Sequence, residues 1–77
     1  MQSPPDWDGL ARSKKLVRTV DQRLCGNMIA EYKDNIIIIQ GAIKSQEYII
    51  PKCNVKNYNE KEIYLDIPYD MLSNFEF

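Results

Sequence analysis

Four consecutive isoleucines, Ile36, Ile37, Ile38 and Ile39, stand near the middle of this 77-residue chain and limit its fold more tightly than any other feature. β-Branched side chains are stiff at χ1 and suit a pleated surface, and an apolar run of four is too short for a buried helix. Residues 36–40 are therefore expected to form a strand, either buried on both faces or with one face covered by another subunit. Asp34 and Asn35, just before it, predict a tight hairpin, because both residue types tolerate the left-handed backbone of a type I′ turn.

The rest of the chain reads the same way. Residues 15–20 hold Val17, Thr19 and Val20 and are expected to be a strand, although Leu16 and Val20 share their parity with Arg18. Asp21, Gln22 and Arg23 form a polar connection to a second strand at residues 24–32, where Gly26 marks a bulge or a close backbone approach. Gly41 and Ala42 loosen the chain before a strand at residues 45–50. Its Gln46, Tyr48, Ile50 row and its Glu47, Ile49 row suggest one face in and the other partly out, and Pro51 ends it. Residues 51–55 are expected to make a short helical turn, with Asn57, Asn59 and Glu60 as a polar reversal. Residues 63–67 show the cleanest alternation, with Ile63, Leu65 and Ile67 on one face. Pro68 then opens a helical piece over residues 69–77, in which Met71, Leu72 and Phe75 are helically spaced.

At the start, Pro4 and Pro5 favour a frayed tail, residues 1–13, with one helical turn capped by Asp6 that lays Trp7 and Leu10 over the end of the main domain, residues 14–77. The whole reads as all-β: five short strands separated by turn signals, the signature of a small barrel or open roll, with short helical turns at its two ends.

A chain this short buries only about 60% of the surface its unfolded form exposes, so domains of this size often recruit disulfides, a metal or a second subunit. Cys25 and Cys53 are the only cysteines, and there is no histidine to complete a zinc site. The opening residues have no apolar leader region, so both thiols are expected to be reduced and mostly buried in a cytoplasmic protein. The longest apolar run, the four isoleucines, is far short of the roughly 20 residues that span a bilayer, and no membrane insertion is expected. No cofactor is expected, and no catalytic residues: Glu60 with Glu62, and Asp66 with Asp70, read as solvated carboxylates, and no glycine-framed serine or phosphate-binding loop is present.

Ten basic and eleven acidic residues leave a net charge of −1. The signs alternate along the chain except at Arg12, Lys14, Lys15, Arg18 and Arg23. That cluster is a solvated strand edge or, alternatively, a surface for an anionic partner such as RNA or a ribosome. Aromatic residues make up 10% of the chain, too many for a domain this small to bury completely, so some are expected to plug the barrel ends and others to reach an interface. Stacking of single-stranded nucleic acid on exposed aromatics beside Lys52, Lys56 and Lys61 is a further reading.

Two stretches resemble a known family. The run from Leu16 through Val20, Asp21, Leu24 and Gly26 to Ala30 is similar to the opening of PRC-barrel domains, where a strand passes through a polar turn and a small glycine into a Val-rich second strand. Gln22 stands where that turn usually has glycine. Tyr48, Ile50, Pro51 and Val55 resemble the Tyr-x-Ile-Pro-x-x-x-Val segment of small archaeal members, and Glu62 to Pro68 resembles the strand that follows. The resemblance implies a small five- to six-stranded SH3-like barrel and an adaptor without enzymatic activity. The family's barrels serve in a photosynthetic reaction-centre subunit, in a ribosome-maturation factor and in cell-division scaffolds. A homodimer is expected, with Ile37, Ile39, Tyr48, Met71, Leu72, Phe75 and Trp7 as candidate interface residues.

Overall fold

The computed structural model describes residues 7–41 and 45–76. The expected tail over residues 1–6, the Asp6 cap, Ala42 and Phe77 lie outside them. Helix α1, Trp7–Arg12, leads into β1, Leu16–Arg18, then β2, Leu24–Tyr32, β3, Asn35–Gln40, and β4, Gln46–Pro51. A 3-10 turn, Lys52–Asn54, precedes β5, Val55–Tyr58, and β6, Glu62–Leu65; a 3-10 helix, Tyr69–Phe75, follows. The all-β expectation holds: the strands form one six-stranded mixed sheet ordered β4-β3-β2-β1-β6-β5, with β1 and β6 parallel and the other pairs antiparallel.

The sheet is not a closed barrel, since its end strands β4 and β5 do not pair with each other. Helical pieces cover the core instead. α1 contributes Leu10 and Ala11 to the buried cluster, the C-terminal 3-10 helix contributes Leu72, and Trp7, Tyr69 and Phe75 pack against it. Bulges in the β1–β2, β2–β3 and β5–β6 pairings add local twist and bend.

Alternation along β3 decides what the isoleucine run does. Ile36 and Ile38 are fully buried beside Ile50 and Tyr48 of β4, whereas Ile37 and Ile39 lie on the opposite face. Ile50 and Ile63 complete a set of four inaccessible isoleucines, and each such side chain contributes about 1.5–3 kcal/mol by leaving water. Gly26 fulfils both expectations placed on it. Val17 pairs with Gly26 and Arg18 with Leu24, so Cys25 is the extra residue of a bulge, and a Cβ on Gly26 would meet the Ile39 carbonyl oxygen at 2.2 Å.

Four local expectations are corrected. The first strand is Leu16–Arg18 and not residues 15–20; Val17 and, just beyond the strand, Thr19 are buried, while Leu16 and Val20 are exposed. Burying Thr19 is tolerable because its hydroxyl donates to the Asp21 carboxylate and accepts from the Arg23 backbone N–H at 3.2 Å. The β2–β3 turn is Lys33-Asp34 and not Asp34-Asn35, because Asn35 already pairs with Tyr32, and the left-handed φ of 55° falls on Lys33. Pro51 ends β4 as expected, but the helical turn after it is Lys52–Asn54 and not residues 51–55, because Pro51 still pairs with Asn35 and Val55 opens β5. Asn57 belongs to β5, a strand where a polar reversal was expected, and the reversal begins at Asn59.

Candidate functional site

Each face of the β2–β3–β4 ladder has a distinct chemistry. On the outer face Ile37 pairs with Ile49 and Ile39 with Glu47, and Ala30 and Asn27 of β2 lie opposite the same two isoleucines. Ile37, Ile39 and Ile49 are half-buried. The partly buried apolar residues that pack on the core are Trp7, Val55, Tyr69 and Phe75, so the three isoleucines form a separate apolar row across two strands. Ile49 was not among the interface candidates. Its own alternation placed it partly outward, but only the β3–β4 register puts it beside Ile37.

The other candidates separate. Tyr48 and Leu72 are core residues and unavailable to a partner in this fold. Tyr48 points inward with Ile38 and Ile50; its hydroxyl donates to Gln40 Oε1 at 3.1 Å, Gln40 Nε2 donates to Tyr69 Oη at 3.0 Å, and burial pushes the Tyr48 phenol up. Leu72 is one turn of the 3-10 helix laid on the core. Met71 is 47% exposed, and Phe75 and Trp7 are half-buried against the core. Trp7 therefore acts as the lid its spacing to Leu10 suggested, with Lys52 Nζ 5.3 Å from its ring centroid.

The basic cluster is largely neutralised by its own chain. Arg12 pairs with Asp8 at 2.5 Å, Arg18 with Glu62, and Arg23 with Asp21 at 3.7 Å, while the Arg23 guanidinium also lies over the Tyr69 ring. Lys15 Nζ donates to the Glu60 carbonyl. Of the five cations, Lys14 alone makes no side-chain hydrogen bond or ion pair among the described residues. The hydrogen bond from Arg18, then one from the Tyr64 hydroxyl, hold the Glu62 carboxyl below the usual glutamate value. The cluster does not line a strand edge, because β1 lies between β2 and β6, and single pairs spread over a helix, an interior strand and a turn leave little concentrated positive field for a phosphate backbone.

Cys25 is buried, as expected, and its Sγ donates to the Val17 carbonyl at 3.2 Å; burial pushes the thiol up to about 12, so no thiolate is available for attack at neutral pH. Cys53 is exposed, contrary to expectation, because the 3-10 turn buries none of its residues. The paired carboxylates do not converge on a reaction centre. Glu62 faces Arg18, and Asp66 Oδ1 accepts from Asn54 Nδ2 at 2.8 Å. Among the described residues no group of three or more cysteine, aspartate or glutamate side chains gathers at one point. Nor, among them, is any helix long and apolar enough to cross a membrane.

Two shallow clefts lie along β5, both missed in the sequence because they join segments far apart in it. One, of about 440 Å³, includes Val20, Gln22, Lys56, Asn57, Asn59 and Tyr64 in its lining. The other, of about 340 Å³, lies between α1 and the β5–β6 turn, against Leu10, Lys15, Tyr58, Asn59 and Glu60. No known family model, curated protein or solved structure gives a significant match to this chain.

Proposed function

We propose that this chain is a non-enzymatic adaptor module, related in kind to the PRC-barrel scaffolds it resembles, that self-associates through the outer face of β3 and β4. One observation carries the reading: Ile37, Ile39 and Ile49 form a half-buried apolar row on the face of the sheet opposite the core. A second copy suits this surface. Closed two-fold dimers are the commonest oligomers, a flat row of β-branched side chains is self-complementary under such an axis, and a domain of this size gains most from added apolar burial. The ion pairs at Arg12, Arg18 and Arg23 favour this reading over an RNA- or ribosome-binding one.

Light scattering near neutral pH tests it. The expected result is a mass twice that of the 9.0 kDa chain, falling to the monomer value in Ile37→Lys and Ile39→Lys variants that keep their strand content by circular dichroism. A strict monomer at high micromolar concentration would refute the dimer.

A further inference from the structure

The sheet's two edges are treated differently. β4 is met by the chain itself at one position, where Glu76 forms an antiparallel bridge with Tyr48. At the other end, β5 has β6 on one side and no strand on the other among the described residues, and Lys56, Asn57 and Tyr58 are exposed. A free edge presents backbone donors and acceptors that an extended polypeptide can satisfy; on β5 the Val55 N–H donates to the Lys52 carbonyl and the Tyr58 N–H to Asn57 Oδ1 at 2.8 Å, local bonds that an incoming strand would replace.

The chemistry beside this edge is selective. The cleft along Lys56 and Asn57 has no carboxylate in its lining; it offers Lys56, the amides of Gln22, Asn57 and Asn59, and an apolar wall from Val20, which is 43% exposed. Arg18 is engaged by Glu62 and Lys15 by the Glu60 carbonyl, whereas Lys56, like Lys61 in the β5–β6 turn, has no ion pair among the described residues. The second cleft shares Asn59 and continues past Tyr58, so pockets flank the edge at both ends of β5. The four residues of β5 span about 13 Å at the usual strand rise. Lys56 also sits at the β5–β6 bulge, and a lysine at an edge bulge discourages indiscriminate pairing. Two copies meeting β5 to β5 about a two-fold axis would bring their Lys56 charges together.

We propose that β5 receives an extended acidic segment of a partner polypeptide as a seventh strand, with a carboxylate on Lys56 and an aliphatic side chain against Val20. This deepens the reading of the chain as an adaptor but uses a surface separate from the isoleucine row.

The probe is a ten-residue peptide of alternating valine and glutamate, added to the isotopically labelled full chain and followed by amide NMR. Chemical-shift changes are expected at Val20, Gln22, Lys56, Asn57 and Asn59, with new protection of β5 amides from exchange. Lys56→Glu is expected to weaken binding by about tenfold or more, and Lys56→Gln by less. Of two peptides N-methylated on alternate amides, one for each peptide edge, only one is expected to lose binding. Equal binding of a lysine-for-glutamate peptide would overturn the proposal. So would full retention of binding by both methylated peptides, shift changes centred on Ile37 and Ile49, tighter binding of a uridine oligonucleotide, or β5 protection that rises with protein concentration alone. An unchanged dimer mass in Lys56→Glu keeps this outcome distinct from that of the isoleucine face.

Discussion

At Gly26 two constraints coincide, a φ of 138° and a β3 carbonyl lying where a side chain would begin. Neither can relax alone, because the opposing atom is the Ile39 backbone and the buried Ile38 packs beside it. Gly26→Ala is therefore expected to cost about 2 kcal/mol or more, read as a lower urea midpoint, and a loss under about 0.5 kcal/mol would show that the two strands approach less closely than described. Asp21 ties the β1–β2 connection to the C-terminal helix: it accepts from the Thr19 hydroxyl and, at 3.2 Å, from the Tyr69 backbone N–H. Those bonds, the Thr19 one foremost, hold its carboxyl below the ordinary 3.8. A depressed acid stabilises the fold fully above its unfolded value and loses that contribution as pH falls through the lower folded value. Asp21→Asn should thus flatten the acid limb of a stability–pH profile below about pH 3.8, while Glu62 keeps part of it in place. Superimposable acid limbs in parent and variant would contradict this role. Thr19 shows what one-dimensional reading misses here: a hydroxyl scores as solvent-facing until a neighbour two residues on satisfies it.

Among the elements, α1 is too short to be stable by itself, and its place depends on what holds it. Leu10 and Ala11 are buried, and Lys52, from the turn after β4, reaches Glu31 of β2 at 2.6 Å while lying over the Trp7 ring. Lys52→Met keeps the aliphatic stem but removes both attractions. It should shift Trp7 fluorescence to the red and lower the melting temperature by about 4 °C, as expected for the loss of about 1 kcal/mol in a domain of this size. Unchanged emission would mean that apolar contact alone seats the helix. Element by element, legibility followed local signal. Strand β2 matched its expected bounds, and Pro68 introduced a helical segment as its fixed φ suggests. Strand β5 was hidden because Lys56 and Asn57, residue types depleted in strands, separate the strand-favouring Val55 and Tyr58; its order comes from pairing with β6, whose Leu65 and Ile63 lie opposite Val55 and Tyr58. The β2–β3 turn was displaced by one residue because Lys33, with no intrinsic preference for a left-handed backbone, adopts it to suit the hairpin.

For the whole molecule, the departure that matters is the open sheet. Barrel closure depends on whether two end strands come into register, which is a long-range property with no local signature, and here helical segments seal the core instead. The candidate surface was half legible for a related reason. Period-two alternation fixed that Ile37 and Ile39 share a face, whereas the burial of Tyr48 and Leu72 depended on which face curls inward. What results is an all-β domain that uses Ile36 and Ile38 for its own core and leaves Ile37, Ile39 and Ile49 half-buried on the opposite face, the row proposed above to meet a second copy. Isotope-filtered NMR on a mixture of methyl-labelled and unlabelled chains tests that division most directly. Intermolecular contacts among the methyl groups of Ile37, Ile39 and Ile49 are predicted, with none from Ile36 or Ile38. Intermolecular contacts found only at β5, or none at concentrations up to the millimolar range, would contradict the account.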